Sequence, residues 1–142
     1  MDSERLVVFV CEHGSAKSVV AAAHFNRLAR ECGLELRAVS RGTNPDDAVA
    51  PSAALGLERD GLAPGGAPRR LSAEDLTAAI RVVAFCPLPH AYGAADEVTV
   101  WDDVPRVGEG YESARDAIVE RAIRLLAELA GPERGAVGGP GL

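Results

Sequence analysis

Aromatic side chains are scarce in this sequence: three Phe, two Tyr and one Trp make up 4% of its 142 residues. A core therefore has to be built from Val, Leu, Ile and Ala rather than rings. Cysteine is scarcer still. Three thiols, an odd number, do not make a disulfide framework and read as groups with individual roles in a reducing compartment. No apolar run approaches the ~18 residues of a membrane span. The first such run, residues 6–10, is also too short for the core of a secretory signal, so a cytoplasmic location is expected. Basic residues are outnumbered, 15 Lys and Arg against 21 Asp and Glu, which leaves a net charge of −6. Nucleic-acid affinity rests on clustered cations, and this balance lacks them. Neither nucleic acid nor a membrane is an expected partner.

What is present is 47% apolar and 25% charged residues, the composition of a globular domain. Residues 6–10 (LVVFV) form an unbroken apolar run, the pattern of a parallel strand covered on both faces, and it stops at Cys11. A turn follows. Ala21, Phe25, Leu28 and Cys32 then recur at helical spacing until Gly33. Residues 34–40 alternate and read as a second strand nearer an edge. Residues 41–71 are rich in Gly and Pro, with a helix from Pro51 to about Arg59, and Ser72 with Asp75 reads as the cap of another. Residues 81–86 and 97–101 complete the strands. Ile118, Ala122, Leu125 and Leu129 line a long helix that Gly131-Pro132 ends. The expected fold is a three-layer α/β/α domain with a four-stranded, mainly parallel sheet over residues 1–130; residues 131–142 are read as a flexible tail.

Open parallel sheets bind ligands beyond the carboxyl ends of their strands. That rule selects Cys11, Cys86, Asp102 and Asp103, and it assigns Cys32 to the opposite end and to the core. Cys11 opens a short loop whose far end starts a helix, where the helix dipole and unpaired amides stabilise a thiolate. The same amides, around a turn made compliant by Gly14, form a cradle for a tetrahedral oxyanion. The oxyanion-binding loop is then Glu12, His13, Gly14, Ser15, Ala16 and Lys17, with Ser18 or Ser15 able to hydrogen-bond the sulfur. A nucleotide-binding loop would need glycines where Cys11 and Ala16 stand. Neither Cys11 with His13 nor Cys86 with His90 has the company of a four-ligand set, so no metal is expected.

Val8-Phe9-Val10-Cys11, followed by five residues, a cation and a serine, resembles the phosphate-binding loop of low-molecular-weight protein tyrosine phosphatases and of the thioredoxin-coupled arsenate reductases that share their fold. Residues 39–43 (VSRGT) resemble the turn after that family's second strand, residues 71–76 (LSAEDL) one of its helix starts, and residues 83–86 its third strand. The resemblance implies that Cys11 attacks phosphorus or arsenic, that Ser18 supports the thiolate, and that Lys17 stands where the family has an arginine. Lysine is a point charge in place of a planar fork. The family's usual glycine and asparagine inside the loop are His13 and Gly14, which removes an amide that braces it.

The resemblance also implies an aspartate directly before a proline as general acid. Here residues 101–106 read WDDVPR, so Asp102 or Asp103 would serve by a shifted loop, or else cap the next segment or pair with Arg106. In the reductase branch Cys86 would be a resolving thiol, and thioredoxin or another thiol reductant the partner; no further cofactor is implied. The substrate would be a small oxyanion or a phosphorylated molecule. The alternative is a repurposed, non-catalytic oxyanion-binding module of the same fold, motivated by Lys17 and the missing Asp-Pro pair.

Overall fold

The computed structural model describes residues 5–88 and 98–138, with side chains described as far as Gly131. The element order is β1 (Arg5–Cys11), α1 (Lys17–Glu31), β2 (Leu36–Gly42), α2 (Pro51–Arg59), α3 (Ala73–Ala78), β3 (Ala79–Ala84), β4 (Val98–Val100), a short 3-10 turn (Val107–Glu109) and α4 (Tyr111–Gly138). The four strands form one parallel sheet in the order β2-β1-β3-β4. β1 is central, as its unbroken apolar run requires, and the alternating strands β2 and β4 hold the edges.

Successive β1 side chains point to opposite faces. Val7 and Phe9 join the core beneath α1 and α4, and Val8 and Val10 join a smaller core with Leu71, Val82 and Ala84, flanked by Leu76 of α3. These are the two flanking layers of an α/β/α fold. Rings contribute more to the core than the composition suggests, because four of the six gather at one place. Phe9 lies 5.7 Å from Phe25, 6.4 Å from Phe85 and 5.7 Å from Trp101, centroid to centroid. The cluster floors the carboxyl end of the sheet.

Local signals set the ends of several elements. Pro51 starts α2 at a position where its missing N–H costs nothing. Ser72 and Asp75 form a reciprocal capping box at α3. Gly131 leaves helical geometry at φ 84°, breaking α4 where the sequence reading ends it, yet helical backbone resumes beyond the break as far as Gly138. Cys32 is a correction: it caps the end of α1 and is exposed. The last α1 residue in the core is Ala29, so the final turn projects past the sheet. Part of the sequence reading, namely His90, Glu97 and residues 139–142 of the expected tail, lies outside the described residues. Among the described residues no helix is long and apolar enough to cross a membrane.

Candidate active site

Cys11 ends β1 on the parity of Val7 and Phe9, and so packs against the core on the α1 side. Its Sγ lies 3.0 Å from the Oγ of Ser18, a fully buried residue in the first turn of α1. Between them residues 12–16 form a tight loop whose carbonyls are held from outside. The Asn44 N–H donates to the Glu12 carbonyl (2.7 Å), the Asp46 N–H to that of His13 (3.0 Å), and the Ala50 N–H to that of Ser15 (2.9 Å). A trans peptide points its N–H opposite to its C=O. The amides of His13, Gly14 and Ala16 therefore turn away from the 44–50 segment and into the loop. Gly14 makes this turn possible with a left-handed φ of +59°.

The loop runs straight into the positive end of α1. The helix's first bond joins Val20 N–H to the Ala16 carbonyl at 2.9 Å, so the preceding amides need an acceptor from elsewhere. No side chain caps Ala16, and no acidic residue occupies the first turn. Lys17, half-buried at the helix start, is the only lysine of the chain; the other fourteen basic residues are arginine. Uncapped amides, a helix dipole and a cation together make a site for an anion. Among the described residues no His, Cys, Asp or Glu cluster is arranged to hold a metal ion.

Cys86 follows β3 and sits beside this loop. Burial first, and then the charges of Cys11 and Glu12, push its thiol up from its ordinary 9.0. Lys17 opposes them. The structure thus brings Cys11, Lys17, Ser18 and Cys86 together. Asp103 does not join them: its Oδ2 lies 2.7 Å from Arg121 Nη2 of α4, in an exposed ion pair. Arg106 is not its partner. Asp102 is exposed in the turn after β4.

Two features escape a reading of the sequence. One is the role of Asn44 and Asp46 in holding the loop; Ser15 Oγ also donates to Asp46 Oδ2 at 2.9 Å. The only local hint is a turn-forming Asn-Pro-Asp run. The other is a polar cluster joining three helices. The Tyr111 hydroxyl donates to Asp60 Oδ2 (2.7 Å), Arg115 Nη1 donates to Asp60 Oδ1 (3.1 Å), and buried His24 Nε2 lies 3.2 Å from both Tyr111 Oη and Asp60 Oδ2. Arg27 Nη2 is 3.2 Å from His24 Nδ1. A guanidinium can only donate, so Nδ1 accepts and the ring is neutral with its proton on Nε2. This agrees with the direction of its titration, lowered by burial and by Arg27, and makes the contact with Asp60 a hydrogen bond rather than an ion pair. The cluster opens onto a separate cleft of about 630 Å³.

The pattern of the family described as low molecular weight phosphotyrosine protein phosphatase matches residues 6–97, and the chain belongs to that family. Among solved structures it is similar to a low molecular weight protein tyrosine phosphatase from T. tengcongensis, at 21% identity over 88% of this chain and 99% of that one, with a TM-score of 0.76. It is also similar to the YwlE arginine phosphatase, known from Bacillus subtilis, in a form with a phosphorylated active-site serine: 21% identity, 91% and 97% coverage, TM-score 0.75. A thioredoxin-dependent arsenate reductase from Corynebacterium glutamicum shares 18% identity, covering 89% of this chain and 62% of that one, with a TM-score of 0.67. No curated protein matches the sequence significantly.

Proposed function

We propose that the chain is a cysteine-nucleophile phosphatase acting on a phosphate-like oxyanion. The observation that carries this reading is the 3.0 Å contact between Cys11 Sγ and Ser18 Oγ at the uncapped start of α1, beneath amides turned inward by the outward pinning of their carbonyls. The oxyanion sits on the amides of residues 13–16 with Lys17 alongside. Cys11 sulfur attacks phosphorus, the bond to the leaving oxygen breaks, and Asp102 supplies the proton that oxygen needs; water then releases phosphate from sulfur. Lys17 in a chain otherwise built with arginine is a specific feature of this loop, and its point charge suits an oxyanion that does not require a two-pronged clamp.

A second reading rests on Cys86. It follows β3, whose Ala84 pairs with Val10 of β1 and whose next residue, Phe85, donates its N–H to the Val10 carbonyl at 2.8 Å, so both thiols leave the same end of neighbouring strands; reduction of arsenate with thioredoxin as partner requires a second thiol there. The test is turnover of an aryl phosphate and, separately, of arsenate with thioredoxin, each with the unsubstituted chain and with Cys11→Ser. Loss of aryl phosphate hydrolysis on that substitution supports the first reading. Turnover of neither substrate, or turnover indifferent to Cys11, contradicts both and leaves a binding module.

A further inference from the structure

The oxyanion loop has no side-chain brace of its own at its tip, because the residue there is Gly14. Its support comes from the connection between β2 and α2, and one residue of that connection grips the loop at three points. The backbone N–H of Asp46 donates to the His13 carbonyl (3.0 Å), its Oδ2 accepts from the Ser15 hydroxyl (2.9 Å), and its Oδ1 lies 3.4 Å from His13 Nδ1. Ser15 is only 5% exposed, so little water can replace the carboxylate as the hydroxyl's acceptor.

We propose that Asp46 is a positioning residue of this site, acting through Ser15 and His13 to keep the loop amides converged on one oxyanion. The proposal rests on the oxyanion reading given above and deepens it. Two contacts, one through main chain and one through side chain, fix the peptide planes on either side of Gly14, and small errors in such a cradle weaken every amide bond to the guest at once. The carboxylate is half exposed, which keeps its own charge solvated while its oxygens remain directed at the loop. The groups that face it are His13 and Ser15 of the loop, with Glu12 beyond His13 at 3.8 Å from its ring.

The experiment titrates inorganic phosphate into the unsubstituted chain and into Asp46→Ala, Asp46→Asn, Ser15→Ala and the Asp46→Ala/Ser15→Ala pair, with thermal unfolding and aryl phosphate kinetics on each. Asp46→Ala is expected to weaken phosphate about tenfold and to lower kcat while Tm stays near the parent value. Asp46→Asn keeps an oxygen that can accept from Ser15 and is expected to recover most of that loss. Ser15→Ala added to Asp46→Ala should cost little more, since the two act through one contact. Phosphate affinity unchanged in Asp46→Ala, or additive losses in the pair, would overturn the proposal. Failure of the unsubstituted chain to bind phosphate would instead overturn the oxyanion reading beneath it.

Discussion

Gly14 and Gly42 stand backbone against backbone. A Cβ on Gly14 would come within 2.9 Å of the Gly42 nitrogen, and a Cβ on Gly42 within 2.8 Å of the Gly14 nitrogen. The tip of the 12–16 loop therefore rests on the end of β2 with no room for any side chain. Gly42 lies outside the left-handed region, so Gly42→Ala isolates the steric contact; Gly14→Ala adds backbone strain at φ +59°. Each is expected to lower stability by about 1–3 kcal/mol and to weaken phosphate binding. Denaturant unfolding and phosphate titration check both, and an unaffected Gly42→Ala would mean that the loop does not depend on this contact.

Asp102 and Asp103 are neighbours in sequence with different surroundings, since Arg121 holds only the second. Asp103→Asn is expected to change turnover by less than about twofold, the ion pair being exposed and weak. Asp102→Asn is expected to slow hydrolysis of a phosphate ester with a poor leaving group by about 100-fold and that of one with a good leaving group far less. Comparing the two esters on each variant reads this directly. The opposite ranking would move the proton donor to Asp103.

Cys86 is held up in its titration by burial and by the charges of Cys11 and Glu12, so at neutral pH it rests as a thiol. A protonated neighbour is no obstacle to hydrolysis. Cys86→Ser is therefore expected to leave aryl phosphate turnover within about threefold of the parent, as a near-isosteric change beside the loop. If that substitution abolished arsenate-dependent oxidation of thioredoxin while sparing hydrolysis, Cys86 would be the resolving thiol of a reductase activity and no part of the hydrolysis.

His24 makes stability depend on pH. Burial, then the Arg27 charge, lower its pKa below the usual 6.5, against the pull of Asp60. The unfolded chain accepts a proton near 6.5 and the folded one only at lower pH, so this contribution is complete above about 6.5 and declines as the pH falls below it. Asp60 behaves separately. Burial alone would raise its pKa, but the Tyr111 hydroxyl, Arg115 and His24 outweigh it and hold the carboxyl below 3.8, so its contribution fades only in stronger acid. His24→Gln should lower Tm at neutral pH and flatten the slope just below 6.5. An unchanged slope would assign the pH dependence elsewhere.

What the sequence made legible was local. The β1 run, the Pro51 start of α2 and the Ser72 cap are short-range signals, and each falls where the residues put it. So does the meeting of Cys11 and Ser18, because a strand, a five-residue turn and a helix leave the chain few ways to run. Strand ends were less legible: β2 runs to Gly42, two residues beyond the expected end, because its pairing with β1 continues to Cys11. His24, Asp60 and Tyr111 are separated by dozens of residues, and no periodicity links a helix residue to a helix end and another helix start. Cys32 illustrates the reverse error. Its helical spacing is correct, but the sheet it should cover ends before it does.

The central claim is that the Cys11 sulfur forms a bond to the oxyanion. Rapid acid quenching of the chain turning over an aryl phosphate, followed by peptide mass spectrometry, tests it most directly. The account predicts the mass of one phosphoryl group on the peptide containing Cys11, absent from that peptide without substrate. Turnover accompanied by a phosphoryl group on another residue, or abolished only by changes that spare Cys11, would contradict it.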